Sequence, residues 1–417
     1  MSGSAAKALT KSGAEAPMTE AAWSLTNRAL PPARRIGRLD ELDLQVARLI
    51  GRARIAVVYG GDKREPGAVI RQGVNARSWK SYRSVANDIA ASLERQGARD
   101  VCLLPDDMRL GERLRQEGVD LVWLNTGGVQ GRNPMTHAAA MLEMMGVPYV
   151  GHDPLMMGIL DSKSVFKQNL AYLGLPTARF TVWNPAATGT ADPRGARRFE
   201  RAFDGYAGPY VVKPVSGRAS LHVHVVDRPQ DLAARIAEVF GATENDVLIE
   251  AFLPGREFCI AVSGPVVARR DGLDRMDRPF AFSPTERVLG KDEAIFESMD
   301  QRPITLDRVR PVDPAKEPET VAELKALGCA VYEEMQLESL VRLDIRADGD
   351  GKMHVLEANP KPDLAMPRPD RISIVAAGLD AEQMGYDDLV RSILADRIDL
   401  LLCKRRGAVS ALAELIA

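Results

Sequence analysis

Cysteine is scarce in this 417-residue chain, and Cys102, Cys259, Cys329 and Cys403 lie far apart with no paired spacing. That excludes a disulfide or zinc framework as the organising device and makes a reducing cytoplasm the expected compartment. No apolar run approaches the roughly 20 residues of a spanning helix. Nor is there a basic block long enough to follow a phosphate backbone, and the formal charge is only -2. Neither membrane nor nucleic acid is therefore an expected partner. The opening MSGSAAKALTKSGAEAP has no apolar signal-peptide core, so residues 1 to about 35 read as a disordered or loosely attached extension.

What is present is 45% hydrophobic content, enough for two or three cores. LDELDLQVARLI, from Leu39, has helical spacing and should pack on the body. ARIAVVYGG (53–61) is an apolar strand ending in paired glycines, and SVANDIAASLERQG (84–97) is a helix stopped by glycine. VCLLPDD and VDLVWLN are strand-like, with the helical THAAAMLEMMG after them. Strands alternating with helices predict a parallel sheet with ligands at the carboxyl ends of its strands. Gly60, Gly61, Asp62, Asn125 and Gly127 would then border a cleft. SKSVFKQNLAYLGLP is a helix opened by Asp161 or Ser162 and closed at Gly174. The short β-branched runs ARFTVW, GPYVVKPV, LHVHVVD, NDVLIEAF and REFCIAVSG, with the helix PQDLAARIAEVFG, suggest a compact α+β module. Residues 265–315, rich in Pro, Arg and Asp, read as one long functional loop. The helix ETVAELKALGCAVYEEM precedes two strands joined at DGDG (348–351), and the amphipathic RSILADRIDLLLCKRRG would cap the core or join a partner.

Alternation places Arg342 and Asp344 on one face of VRLDIR, and Glu357 and Asn359 on one face of HVLEANP. If the DGDG turn pairs these strands, three oxygen-bearing side chains and a guanidinium converge. Asp, Glu and Asn oxygens suit Mg²⁺, which is held by few carboxylates plus substrate phosphates. The guanidinium suits an oxyanion, or else an ion pair with Asp344 or Glu357 that orders the hairpin. A calcium loop counted from Arg346 fails at its first ligand and in its strand flanks. The His222 and His224 pair, on one strand face, has no third ligand.

Taken in order from about residue 53 to 400, these segments resemble an ATP-grasp ligase of the D-alanine:D-alanine ligase family. DSKSVFKQNLAYLGLP is similar to the helix opening the family's central domain, and the resemblance makes Lys163 a nucleotide-contacting lysine. YVVKP resembles the strand that presents a second phosphate lysine, Lys213. SGRAS (216–220) stands at the mobile phosphate loop, which implies roles for Ser216, Gly217 and Ser220. In VLIEAFLPGREF the resemblance implies that Glu250 and the backbone at Phe252 and Leu253 meet adenine and that Glu257 meets the ribose. VRLDIR and LEANP would supply Asp344, Glu357 and Asn359 for Mg²⁺, two ions in all, and Arg342 for the acyl phosphate and tetrahedral oxyanion.

The implied fold mixes α/β and α+β: an extension (1–50), a parallel α/β domain (51–155), a small central α+β domain (156–255) and a C-terminal domain (256–417) with a lid loop at about 265–315. The implied activity is ADP-forming ligation of a carboxylate to an amine, and relatives are often homodimers. Departures bear on the substrate. Glu65, in the long GGDKREPGAVIRQG loop, matches the family's ammonium-holding glutamate only loosely, NTGGVQGRNP has no histidine or acid, and NPKPDL puts Asp363 where relatives have glycine. In the lid stretch, Arg287 or Lys291 could reach phosphates, although a solvated loop charge is the commoner outcome. These departures favour an amino acid joined to a non-standard small molecule. The alternatives are a D-alanine:D-alanine ligase with an unusual pocket, or a silent nucleotide-binding protein.

Overall fold

In the computed structural model the described residues are 39–61, 81–131, 133–217, 220–290, 293–295, 308–369, 371–404 and 415–416. The expected N-terminal extension therefore lies outside the described residues, as do Asp62, Glu65, Arg218 and Lys291.

The alternating first third does build a parallel sheet. Strands β1 (Arg54–Gly60), β2 (Asp100–Asp106), β3 (Leu121–Asn125) and β4 (Tyr149–Val150) lie in the order β2-β1-β3-β4. Because successive strands wind to either side of β1, the chain reverses between β1 and β3, where a crevice opens at the strand ends. Asn125 lies there buried, its amide donating to the Tyr82 carbonyl at 3.1 Å. The helix Leu39–Arg52 buries Leu42, Val46, Leu49 and Ile50. The helix Lys163–Tyr172 follows another helix, Pro154–Asp161, whose N-terminus is capped by Asp153. The expected helix start at Asp161 or Ser162 is met, with Ser162 extended at the boundary and Gly174 at φ +71 beyond the end, whereas the Pro154–Asp161 helix was not foreseen in the sequence.

The central strands form an antiparallel sheet. Here β5 (Phe180–Trp183), β6 (Tyr210–Pro214), β7 (His224–Val226) and β8 (Val247–Ala251) take the order β5-β8-β6-β7, with the helix Leu232–Thr243 against them. Only His224 of the histidine pair belongs to a strand. His222 precedes it at φ +57, so the two imidazoles do not share a strand face.

The third sheet starts with β9 (Glu257–Ser263). After the hairpin β10 (Val266–Arg269)–β11 (Gly272–Arg275) come β12 (Phe280–Ala281), β13 (Thr285–Arg287), β14 (Val309–Pro311), β15 (Val341–Ala347) and β16 (Met353–Asn359). Its order is β14-β13-β9-β15-β16, with β12 also paired to β9. The expected single loop over 265–315 is thus corrected: much of it is short strands. Runs of two to four residues carry too little alternation to be read as strands. The DGDG turn is as expected, Asp348 N–H bonding the Lys352 carbonyl at 3.0 Å and Gly351 taking φ +85.

Helix Pro318–Glu334 packs on β9. The closing helix, Tyr386–Lys404, caps the core: Leu389, Val390, Leu394, Ala395 and Ile398 are buried against β10 and the first domain's residues. Among the described residues no helix is long and apolar enough to cross a membrane.

Candidate active site

A cleft of about 800 Å³ is walled by residues of the antiparallel central sheet on one side and of β9, β13, β15 and β16 on the other. Its wall contains Lys163, Lys213, Gly217, Ser220, Glu250, Phe252, Leu253, Glu257, Asp344 and Glu357. Ten residues picked out over almost two hundred positions of sequence therefore meet in one space. Ser216 is adjacent, its carbonyl accepting from the Asn245 amide at 3.0 Å.

The cations are held in different ways. Lys163, first residue of its helix, reaches the Gly217 carbonyl at 2.9 Å and Glu357 at 3.3 Å. Lys213, on β6, lies 2.5 Å from Glu250 Oε2. Lys167, one turn beyond Lys163, is fully buried and lies 2.8 Å from the other oxygen, Glu250 Oε1. Two ammoniums thus share one carboxylate. Burial favours the neutral acid, but the two lysines overcome it and hold Glu250 at about 2. Burial dominates at Lys167, whose pKa is lowered despite Glu250. At Lys213 burial is outweighed by Glu250 and Glu357, and its pKa is raised.

Lys167 was not singled out in the sequence. It lies four residues from Lys163 on the same helix, but its ionic partner Glu250 is 83 positions away, beyond any local pattern. The expectation that Glu250 and Phe252 simply face adenine needs amending. Both Glu250 oxygens are engaged by lysines, and the Phe252 N–H donates to the Pro209 carbonyl at 3.0 Å.

At the opposite wall β15 and β16 pair as expected, and a β-bulge between Asp344 and Ile345 sets the register that puts Asp344 opposite Glu357 and Arg342 opposite Asn359. Asp344 and Glu357 border the cleft, while Arg342 and Asn359 are the next cross-strand pair along and, among the described residues, lie outside its wall. Arg342 binds Asp344 through two nitrogens, at 2.8 and 3.2 Å. Arg287 adds a contact at 2.9 Å and also reaches Glu257 at 2.8 Å. Burial works against the Asp344 carboxylate, yet Arg287 and Arg342 keep it ionised, at about 2. Arg287 is thus no solvated loop charge but a part-buried strand residue, its side chain 14% exposed. Glu257 is further held by Arg346 at 3.5 Å, and that guanidinium covers the Phe252 ring at 4.9 Å.

Among the described residues no three His, Cys, Asp or Glu side chains form a closed metal cage. Two facing carboxylates plus an amide fit an ion that takes its other ligands from phosphate and water, as Mg²⁺ does. The Asn359 oxygen already accepts the Lys361 N–H at 3.1 Å, which fixes its rotamer. Asp363 does not border this cleft. Its carboxylate turns back to the Ala365 N–H at 3.1 Å, while Lys361 is buried with its ammonium 3.2 Å from the Tyr82 ring centre.

With this geometry in place, comparison with known proteins is informative. The family model described as "D-ala D-ala ligase C-terminus" matches residues 170–395, more than half of the chain. The chain belongs to the D-ala D-ala ligase family. Its fold is the ATP-grasp fold, and in kind it is an ATP-grasp ligase. Among curated relatives, an uncharacterized protein of Sinorhizobium fredii, y4sG, is 28% identical over 64% of this chain and 71% of its own length. A D-alanine–D-alanine ligase of Desulforudis audaxviator is 26% identical over 78% of this chain and 96% of its own. The solved D-alanine–D-alanine ligase of Bacillus anthracis complexed with ATP superimposes with a TM-score of 0.59 at 20% identity, covering 84% of this chain and 98% of that one.

Proposed function

We propose that this family member is an ADP-forming carboxylate–amine ligase that joins an amino acid to a non-standard small-molecule partner. The observation that carries the reading is the opposition of Lys163 and Lys213 to the Asp344–Glu357 pair across one cleft. Cations on one wall suit a polyphosphate, and facing carboxylates on the other suit a divalent ion. The three-domain division belongs to the same reading, and it is supported by each main sheet falling within one of the ranges 51–155, 156–255 and 256–417.

In this mechanism a substrate carboxylate oxygen attacks the γ-phosphorus of ATP, breaking its bond to the bridging oxygen and giving an acyl phosphate and ADP. The amine then adds to the acyl carbon, inorganic phosphate leaves, and the nitrogen loses a proton. Little covalent work falls to the protein, which must align the reactants and stabilise developing charge. Lys163 and Lys213 would bind the phosphates, with Ser216, Gly217 and Ser220 bounding them. Leu253 and Phe252 would flank the base, and Glu257 would meet the ribose by exchanging part of its guanidinium contacts. Asp344, Glu357 and Asn359 would hold Mg²⁺, which when bound supplies neutralisation of phosphate charge. Arg342, already oriented by Asp344, would turn toward the tetrahedral oxyanion.

The non-standard substrate is supported by PKPD. Lys361 and Asp363 replace small neutral chemistry after Asn359, and both are engaged within the protein. A second reading, joining two D-alanines, has support in the D-alanine–D-alanine ligases among the chain's relatives. Glu65 and Asp363 remain its substrate-side residues to test. The deciding experiment is ADP release with Mg²⁺ and ATP across an amino-acid and amine panel, with mass spectrometry of the products. Stimulation by D-alanine alone, giving the dipeptide, refutes the non-standard substrate; stimulation by no pair refutes ligation.

A further inference from the structure

Lys167 has no place in the mechanism above, yet it is the largest expenditure of buried charge in the molecule's central domain. It lies behind the cleft wall rather than on it, with no exposed surface. Its ammonium is 2.8 Å from Glu250 Oε1 and donates to Thr177 Oγ1 at 2.6 Å, and it lies 5.5 Å from the Phe180 ring centre. Thr177 in turn donates to the Val355 carbonyl at 2.8 Å, on the strand that carries Glu357. The ammonium is therefore fixed against a strand from each of two sheets.

A lone carboxylate 2.5 Å from Lys213 would form a closed, neutral pair with it. Such a pair presents little field to an incoming phosphate, and opening it would cost much of what the phosphate contributes. With Lys167 on the second oxygen, the cluster carries two cations for one anion. The surplus positive charge is presented toward the cleft, because Lys167 is fully buried against Phe180 and Thr177 while Lys213 borders the open space together with Glu357.

We propose that Lys167 is a positioning residue that takes up half of Glu250, so that Lys213 keeps a net positive charge for the phosphates of the nucleotide. This inference rests on the nucleotide reading of the cleft. It differs from a scaffolding role in one measurable respect: the effect is confined to phosphate-bearing ligands.

The test compares binding of MgATP and of adenosine, by calorimetry, to the full chain and to Lys167→Met, with Lys167→Gln as a second neutral variant that retains a donor for Thr177. ATP should bind about tenfold more weakly to either variant, the scale of one charge-assisted contact, with adenosine within about twofold of wild type. The double variant Lys167→Met/Glu250→Gln frees Lys213 again and should return the ratio of ATP to adenosine affinity toward wild type. Equal losses for ATP and adenosine, an unchanged ATP affinity, or no return of the ratio in the double variant each overturn the inference. Failure of wild-type protein to bind ATP at all overturns the nucleotide reading instead.

Discussion

Replacing Glu250 by glutamine separates charge from shape at the most buried ionic cluster of the fold. The amide fills the same volume but removes the only carboxylate that Lys167 and Lys213 share, at 2.8 and 2.5 Å. Lys167 has no solvent exposure and cannot turn to bulk water, while Lys213, itself buried, borders the cleft. Removing one partner from a buried pair costs about 3–5 kcal/mol, because the remaining charge stays desolvated and uncompensated. Here two like charges remain, so the upper part of that range applies at pH 7. The variant should also recover with alkali. The pKa of Lys167 is already lowered by burial, and without Glu250 it falls further. Above the folded pKa of Lys167 the unfolded chain binds more protons than the folded one, so stability rises with pH until this lysine is neutral in the unfolded chain too, at about 10.4. By contrast Lys167→Met leaves a balanced Lys213–Glu250 pair and should cost clearly less. Urea unfolding followed through the buried Trp183, on the same sheet, reads both variants between pH 6 and 9. A Glu250→Gln cost below about 1 kcal/mol with no pH dependence would refute this electrostatic account, as would a larger cost for Lys167→Met.

Three further outcomes follow from the same coordinates. Glu357→Gln should cut Mg²⁺-dependent ADP release about a hundredfold or more while moving the unfolding free energy by under about 1 kcal/mol, since Glu357 is partly exposed and its pairing with Lys163 is long, at 3.3 Å; coupled ADP assay and urea titration check the two halves. Glu250 and Asp344 are both held near 2 when folded, below their ordinary 4.5 and 3.8. Their stabilisation is complete above those ordinary values and is lost as pH falls toward 2, so an acid titration of stability should drop by roughly 2–3 kcal/mol per group, a drop that Glu250→Gln removes in part. Asp396, buried beneath the β10–β11 hairpin, is pushed up to about 7 by burial, which the Val266 N–H and the nearby Arg397 and Arg275 only partly offset, with Asp399 adding to it. Its protonated form is the favoured folded form, so Asp396→Asn should stabilise the protein by on the order of 3 kcal/mol at pH 8, a gain that disappears below about pH 4 in paired urea titrations.

What could be read in advance was whatever repeats or alternates over enough residues. The β15–β16 hairpin was legible as two runs flanking a DGDG turn, but the register was not: Asp344 faces Glu357 only because a β-bulge between Asp344 and Ile345 shifts the pairing by one residue. Lys163 and Lys213 were reached through the resemblance of DSKSVFKQNLAYLGLP and YVVKP to the family's segments, not through any pattern of their own. The 265–315 strands were not, because each is stabilised by its partner in the sheet rather than by its own pattern: β13 is three residues long and gains its place from β9 and β14. The two-residue β12 is held in the same way by β9.

Arg287 and Lys167 show the deeper reason for the remaining misses. A charged residue in sequence is read as solvated by default, because its burial is unfavourable unless distant partners arrive. The partners of Arg287 are Glu257 and Asp344, thirty and fifty-seven positions away, and that of Lys167 is Glu250. No local window contains such pairs, so no local pattern can distinguish these residues from surface ones. The cost of burying them is met only once three sheets have assembled, and it is met by ionic partners that the cleft itself provides. Among the described residues the cleft gathers Lys167, Lys213, Glu250, Glu257, Asp344 and Arg346 as buried charges on or just behind its wall. Lys167, the residue least visible in the sequence, sits where the charge of that cleft is set.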